Sequence, residues 1–92
     1  MSHKRKHIRL IWTEKNISHI AKHEISVKEV EEAIKDRDAI FLKHRGRYAV
    51  IGSAWGRILF IILEKIDDEF YVITARDATD KEKKRYKRMR KS

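Results

Sequence analysis

The apolar run from Ile58 to Leu63 is the feature that most restricts how this chain can fold. Its six residues are all apolar, so both faces of an extended segment would be hydrophobic. Such a strand is typical of the centre of a sheet, where both faces are covered. The run is far shorter than the roughly 20 residues that a membrane-spanning helix needs. We therefore expect 57–65 to form a central strand, and we expect no membrane partner.

Short strands and tight turns surround this central segment. Stretches rich in β-branched and aromatic residues alternate with clusters of turn-forming residues, a pattern typical of strands joined by hairpins. The connections are only a few residues long, which favours an antiparallel meander. The predicted strands are 39–43, 47–52, 57–65 and 69–75, with a further short strand at 9–12.

Capping residues indicate three helix starts. Thr13 is a suitable N-cap, because its hydroxyl can accept a hydrogen bond from the first turn. Ser26 with Glu29, and Thr79 with Glu82, each form the S/T-x-x-E pattern of a capping box. We expect the second helix to end near residue 36 and the third to run to about residue 90.

Apolar spacing predicts the buried faces of the two N-terminal helices. In the first helix, Ile17, Ile20 and Ala21 follow the i, i+3, i+4 spacing of a buried stripe. In the second helix, one face carries Val27, Val30, Ala33 and Ile34. The order strand, helix, helix, four strands, helix is typical of an α+β domain. We expect residues 1–92 to form one domain, an antiparallel sheet of about four to five strands with two N-terminal helices packed on it and a C-terminal helix.

Positive charge is concentrated at the two ends of the chain. Twenty-three Lys and Arg against fourteen Asp and Glu give a formal charge of +9. Residues 1–9 carry +4 and residues 80–92 carry +6, which leaves −1 for the rest. The chain thus combines a basic leader (1–8), a neutral body and a basic C-terminal helix (79–91). This distribution favours a polyanionic partner such as nucleic acid, although basic ends that only aid solubility are the alternative.

The composition excludes several classes of site. The chain has no cysteine, which removes disulfides, thiolate zinc sites and a cysteine nucleophile, and favours a reducing compartment, the cytoplasm. His3 with His7, and His19 with His23, are four residues apart, but no carboxylate completes an H-E-x-x-H pattern. Three glycines cannot build a phosphate-binding glycine-rich loop. We therefore expect no metal and no cofactor.

A small set of polar residues could cleave RNA without a metal. The reaction needs a base for the 2′-hydroxyl, cations for the phosphate and a proton for the leaving oxygen. His, Arg, Glu and Tyr side chains can supply these functions. The candidates are His23, Arg57, Arg76, Glu82 and Tyr86, and Glu82 and Tyr86 share a helix face because they are four residues apart.

Each candidate also has a structural interpretation. His23 could interact with the dipole at the end of the first helix. Arg57 could pair with Glu64 or Glu69, and Arg76 with Asp77 or Asp80. Glu82 could close its capping box, and Tyr86 could pack the last helix on the sheet.

Further residues are candidates for RNA contacts. Trp55 lies in a Ser-Ala-Trp-Gly turn, where an exposed indole could stack on a base. The expected phosphate contacts are made by Lys22, Lys83, Lys84 and Lys87.

Several strings carry a resemblance to a known family. They are Trp12-Thr-Glu-Lys-Asn, Lys22-His-Glu-Ile-Ser26, Val30-Glu-Glu-Ala33, Gly56-Arg-Ile-Leu59 and Ile73-Thr-Ala-Arg-Asp-Ala78 followed by Glu82 and Tyr86. Together they resemble the BrnT toxin family over about 11–86. The final string is the most specific, because strand, arginine, cap and helix occur in one order and spacing.

The resemblance implies a RelE-like fold and a toxin of a type II toxin–antitoxin pair. Such toxins act as small ribonucleases on RNA, a cognate antitoxin blocks them, and the pair reaches operator DNA through the antitoxin. Carried onto this chain, the family's polar set falls on His23, Arg57, Arg76, Glu82 and Tyr86. The two arginines would then hold the phosphate, His23 would transfer a proton, and the other two would support the site.

One departure from the family and two other functions bear on this prediction. Glu24 replaces the glycine that usually follows the Lys-His pair, so we expect the local turn, and the position of His23, to differ if that glycine needs a positive φ. A non-catalytic nucleic-acid-binding or co-repressor module, such as a degenerate toxin, is one alternative function. A structural protein whose basic ends meet an acidic partner is the other.

Overall fold

The computed structural model describes residues 8–90. Within that range five strands and three helices follow one another in the predicted order. They are β1 (Arg9–Ile11), α1 (Glu14–Ala21), α2 (Val27–Lys35), β2 (Ile40–His44), β3 (Arg47–Ala54), β4 (Arg57–Ile66), β5 (Glu69–Asp77) and α3 (Asp80–Met89). Most of the predicted basic leader, the His3–His7 pair and Lys91 lie outside the described residues.

The five strands form one sheet with the order β1-β5-β4-β3-β2, so β4 is central, as its apolar faces predict. The antiparallel meander is confirmed for β2 through β5. β1 joins the sheet in a different way, because it runs parallel to β5 with Arg9 opposite Glu69 and Ile11 opposite Tyr71. Local connection length gives no information on this pairing, since its two strands lie at opposite ends of the sequence.

All three hairpins of the meander turn within two residues, and in two of them both turn residues have positive φ. Arg45 and Gly46 join β2 to β3, and Trp55 and Gly56 join β3 to β4. All four residues have positive φ, with 49° at Trp55 and 88° at Gly56. Two successive residues of positive φ define the type I′ turn, whose twist matches that of the flanking strands. Pairing therefore continues up to the two residues that flank the second turn, Ala54 and Arg57.

Helix α2 packs directly on the backbone of β3. A Cβ atom at Gly52 would lie 2.3 Å from the carbonyl oxygen of Ala33, a separation that no side chain tolerates. Glycine at this position therefore allows the close approach. The predicted apolar face of α2 is confirmed, because Val30, Ala33 and Ile34 are buried against the sheet.

Helix α1 buries a different face from the predicted one. Ile20 is fully buried, but Ile17 is 41% exposed and Ala21 lies on the surface, while Asn16 is buried. The Asn16 amide donates to the carbonyl oxygens of Ile11 and Val72, at 2.9 and 3.0 Å. The prediction is therefore right for Ile20 and wrong for Ile17 and Ala21, because Asn16 takes a buried position from which it bonds backbone carbonyls of β1 and β5 that need a donor.

Helix α3 reaches the sheet from the face opposite α1 and α2. Residues paired across strands share a face, and Ile51, Phe60 and Arg76 are paired in register. This face is the reverse of the one that Gly52 presents to α2. Arg76 binds Glu82 of α3 from it. No helix within residues 8–90 is long and apolar enough to cross a membrane.

Candidate functional site

A groove of about 660 Å³ lies between the β3–β4 turn and α3. Among residues 8–90, four of its lining side chains are cationic, namely those of Arg57, Lys83, Lys87 and Arg90, and Asp77 is the one acidic residue that lines it. We call this surface the basic groove. An excess of fixed positive charge in a concave surface attracts polyanions.

One face of α3 forms a wall of the basic groove. Lys83, Tyr86, Lys87 and Arg90 follow one another at spacings of three and four residues, which places them on the same side of a helix. Tyr86 is 3% exposed and anchors this face, while Lys87 and Arg90 stay on the surface. The Thr79–Glu82 capping box is confirmed and fixes the start of the helix.

The Arg57 guanidinium ties three parts of the fold together. Its Nε and Nη2 donate to the two carboxylate oxygens of Asp77, at 2.7 and 3.3 Å. Its Nη1 donates to Glu29 and to the backbone carbonyl of Glu24, at 3.0 and 2.9 Å. The hydrogen bond to Asp77, followed by that to Glu29, raises the pKa of Arg57, and the hydrogen bond from Arg57 lowers the pKa of Asp77. The pairings with Glu64 or Glu69 considered from the sequence do not occur.

The turn after α1 keeps the left-handed conformation despite its glutamate. Glu24 has a φ of 60°, and the N–H of Ile25 donates to the carbonyl of Ile20 while that of Glu24 donates to Ala21. These two bonds are those of a Schellman motif, in which residue C′ is usually glycine. The expectation that the turn must differ is therefore wrong, because Glu24 itself adopts the positive φ.

His23 lies in this turn, immediately before Glu24 in the sequence. Its ring is exposed and meets the His19 ring edge-on at 5.7 Å. His19 in turn lies 3.1 Å from the Thr74 hydroxyl. Because the next residue, Glu24, gives its carbonyl to Arg57, the turn that carries His23 is fixed beside one end of the basic groove.

Arg76 and Glu82 form a two-pronged ion pair. The Nη1 and Nη2 of Arg76 donate to the two oxygens of Glu82, at 2.9 and 3.0 Å. The guanidinium lies 4.1 Å above the Phe60 ring. The hydrogen bond between the two side chains lowers the pKa of Glu82 and raises the pKa of Arg76. This pair connects β5 to the first turn of α3.

The Tyr86 hydroxyl points away from solvent and donates to Asp36 at 2.5 Å. Asp36 follows α2, and its carboxylate also accepts from the backbone N–H groups of Ser53 and Asp38. Burial of the ring, followed by the hydrogen bond to Asp36, raises the pKa of Tyr86 to about 12. Tyr86 therefore joins α3 to the end of α2 and to β3.

The basic groove contains about half of the residues predicted from the sequence. Those that line it are Trp55, Arg57, Lys83, Tyr86 and Lys87; Lys22, His23, Arg76, Glu82 and Lys84 are not among its lining residues. Sequence reasoning missed Arg90 and Asp77 in the groove and Asp36 behind Tyr86. Arg90 could have been found from its spacing to Lys83 and Lys87. Asp77 requires the sheet register, which pairs it with Leu59.

Within residues 8–90 no three His, Cys, Asp or Glu side chains lie close enough together to hold a metal ion. His19 and His23 have no third ligand in that range.

The fold and the basic groove define a class, a small α+β protein with a concave cationic surface suited to a polyanion. Residues 12–82 match the family model described as "Ribonuclease toxin, BrnT, of type II toxin-antitoxin system". Since the match covers most of the 92 residues, the chain belongs to this BrnT family, and the resemblance noted from its motifs is confirmed. Among curated proteins, no sequence matches this chain.

Proposed function

We propose that the chain is a metal-independent endoribonuclease that cleaves RNA bound in the basic groove, and that this cleavage inhibits translation and growth. The observation that carries the proposal is the meeting of Arg57, Lys83, Lys87 and Arg90 in one concave surface. Family membership supports ribonuclease activity in general. The groove supplies the local charge that a phosphodiester transition state requires.

In this proposal the groove cations hold the scissile phosphate. Arg57 is positioned by Asp77, Glu29 and the Glu24 carbonyl, which together use four of its five N–H groups. The remaining N–H on Nη2 is available to a phosphate oxygen. Lys83 and Lys87 add flexible point charges from the facing helix. Arg76 and Glu82 act as supports that hold α3 against the sheet.

Proton transfer is assigned to His23. A neutral imidazole can take the proton of the 2′-hydroxyl as the 2′-oxygen attacks phosphorus and the bond from phosphorus to the 5′-oxygen breaks. The leaving 5′-oxygen takes a proton from a groove ammonium or from water. The Glu24–Arg57 hydrogen bond supports this assignment, because it keeps the histidine turn beside the phosphate site.

The test is incubation of the purified chain with labelled RNA in the presence of EDTA. We expect cleavage by the wild type and losses of roughly tenfold or more for His23→Ala and Lys87→Ala. Arg57→Lys keeps the charge but loses forked contacts that also hold the fold, so its cleavage is compared with its stability in urea. Lys65→Ala, at the exposed far end of β4, is the matched control and should cleave as wild type. RNA left intact by the folded wild type would exclude the enzyme.

We also propose that a cognate antitoxin neutralises the chain in the cytoplasm and carries the pair to operator DNA. The basic α3 face offers charge complementarity to an acidic segment. Expression in bacterial cells should arrest growth, and coexpression of the antitoxin should restore it. Arrest that the antitoxin does not relieve would contradict this part of the proposal.

A second candidate function is RNA binding without cleavage, as in a degenerate toxin or co-repressor. The observation that favours it is that Arg57 and Arg76 are each already bonded to a carboxylate. This candidate predicts binding with a steep salt dependence and intact RNA after long incubation. The EDTA experiment with labelled RNA separates the two.

A further inference from the structure

Trp55 is exposed at the rim of the basic groove. Its side chain is 68% accessible, although tryptophan is usually well buried in folded proteins. Trp12, the other tryptophan, is half-buried and donates its indole N–H to Glu31 at 3.3 Å. Within residues 8–90 the Trp55 indole has no hydrogen-bond partner. The packing of the fold therefore accounts for Trp12 and leaves Trp55 without a structural role.

The hairpin holds Trp55 in a fixed position. The residue occupies the first position of a two-residue type I′ turn, and the strands are paired up to Ala54 and Arg57 on either side. The turn fixes the backbone of Trp55, and a tryptophan side chain has only two rotatable bonds, so little conformational freedom is lost when a ligand stacks on the ring. The next residue in the turn, Gly56, also lines the groove, so the indole stands where the groove begins.

A row of cations faces this aromatic ring from α3. Lys83, Lys87 and Arg90 are spaced by four and three residues, so their Cα atoms span about 10 Å along the helix. Adjacent phosphates of a stacked strand are separated by roughly 3.4 Å along the axis, so the row can meet more than one phosphate. The groove thus offers charge on one side and an aromatic ring on the other.

We propose that the basic groove takes single-stranded RNA, with one unpaired base stacked on Trp55 and the adjoining phosphates along the α3 row. This inference rests on the proposed function for the identity of RNA as ligand. An aromatic ring can stack on a base only when that base is free of its duplex neighbours. A duplex presents phosphates alone and would use the cations without Trp55.

The fluorescence of Trp55 provides the direct test. A short 2′-O-methyl oligoribonucleotide is the probe, because it lacks the 2′-hydroxyl nucleophile and cannot be cut by the proposed reaction. In Trp12→Phe, where Trp55 is the remaining tryptophan, we expect the single strand to quench most of the emission and a duplex of the same sequence to quench little. In Trp55→Phe, where Trp12 remains, neither probe should quench.

Affinity gives the second readout and needs no change at Trp12. Trp55→Ala should weaken binding of the single-stranded probe about tenfold, as expected for the loss of one stacked base, and leave duplex binding unchanged. Trp55→Tyr should restore most of the affinity. Ile66→Ala removes another exposed apolar side chain, at the far end of β4, and should change neither affinity.

Equal losses for single strand and duplex, or the absence of Trp55 quenching by a bound probe, would overturn the inference. Cleavage of unmodified RNA is measured separately. If quenching occurs without any cleavage, the single-strand site stands and the enzyme proposal fails. If cleavage occurs and Trp55→Ala binds the single strand as tightly as wild type, the enzyme proposal stands and the stacking site fails.

Discussion

Glu24 holds a backbone conformation that costs free energy for any residue with a Cβ atom. Its φ of 60° lies in the left-handed region, which costs a non-glycine residue roughly 1–2 kcal/mol. The conformation persists because Ile20 and Ile25, joined by the Schellman hydrogen bond, are both buried. The Arg57 bond to the Glu24 carbonyl fixes the turn further.

Glu24→Gly should therefore stabilise the protein. Relief of the left-handed strain exceeds the extra backbone entropy of glycine in the unfolded chain, so we expect a gain of about 0.5–1 kcal/mol in the free energy of unfolding. Urea denaturation measures it. Glu24→Ala is the control, since it removes the charge and keeps the Cβ atom, and it should leave stability near that of wild type. Equal gains in both variants would point to the charge instead of the backbone.

Asp77 places a negative charge inside the basic groove. Its carboxylate accepts hydrogen bonds from two N–H groups of Arg57, in the forked geometry that a bound phosphate would adopt. Arg57 and then Lys83 lower the pKa of Asp77, so it remains ionised at neutral pH and opposes any incoming phosphate.

Asp77→Asn should bind RNA more tightly than wild type. Removal of one charge about 4 Å from a phosphate corresponds to roughly 1 kcal/mol in water, or about fivefold in affinity. Binding of the 2′-O-methyl probe at several salt concentrations measures this. Asp68→Asn, in the β4–β5 turn, gives the same change in net charge outside the groove and should raise affinity less. Identical effects of both variants would show that only net charge matters.

Helix α3 is attached to the rest of the fold near both of its ends. The Arg76–Glu82 pair fixes its first turn to β5, and the Tyr86 hydroxyl fixes its second half to Asp36. Asp36 also accepts the Ser53 N–H, so one carboxylate joins α2, β3 and α3. The wall of the basic groove depends on these bonds.

Tyr86→Phe should loosen this attachment. Loss of a buried hydrogen bond to a carboxylate costs about 1.5–3 kcal/mol in the free energy of unfolding, measured by urea denaturation. Tyr71→Phe is the control, because the Tyr71 hydroxyl has no hydrogen-bond partner within residues 8–90.

The stability that Tyr86 contributes also depends on pH, because its pKa of about 12 in the folded state exceeds the unfolded value near 10. The contribution of Tyr86 is thus complete below pH 10 and disappears as pH rises through 12.

Alkaline titration of tyrosine absorbance checks the same assignment. Part of the tyrosine absorbance should change late, near pH 12, and this late phase should vanish in Tyr86→Phe. A late phase that survives in that variant would assign the raised pKa to another tyrosine.

The elements that the sequence predicts well are those determined by neighbouring residues. Capping boxes at Ser26 and Thr79, short hairpin connections and the central position of β4 all follow from local residue types. The buried Asn16 was missed because its partners, Ile11 and Val72, belong to different strands. The Arg57–Asp77 pair was missed for the same reason, since it depends on the register between β4 and β5.

Three carboxylates accept hydrogen bonds that stabilise the fold of this strongly cationic chain. Glu29, Asp77 and Glu82 each have a lowered pKa, through the Ser26 backbone N–H for Glu29 and through arginines for the other two. With a net charge of +9, further protonation also adds self-repulsion.

Stability should therefore fall in acid. A group whose pKa is lower in the folded state binds fewer protons there, so its contribution is complete above the unfolded pKa near 4 and is lost as pH falls through the folded value. We expect the free energy of unfolding to be level from pH 7 to about 5 and to decline below that. Urea denaturation across this range measures the profile.

The triple variant Glu29→Gln, Asp77→Asn, Glu82→Gln serves as the comparison for the acid profile. It should be less stable at pH 7 and lose less on acidification, because the groups that would take up protons are gone. A decline as steep as that of wild type would place the acid-sensitive groups elsewhere in the chain.

The parallel pairing of β1 with β5 affects when the protein can fold during its synthesis on the ribosome. The paired residues Arg9 and Glu69 lie sixty positions apart, so β1 emerges long before its partner strand has been synthesised. Contacts of such separation form late. The wall contributed by Lys83, Lys87 and Arg90 comes later still, after β5. A nascent chain therefore lacks the basic groove while the message that encodes it is still being read.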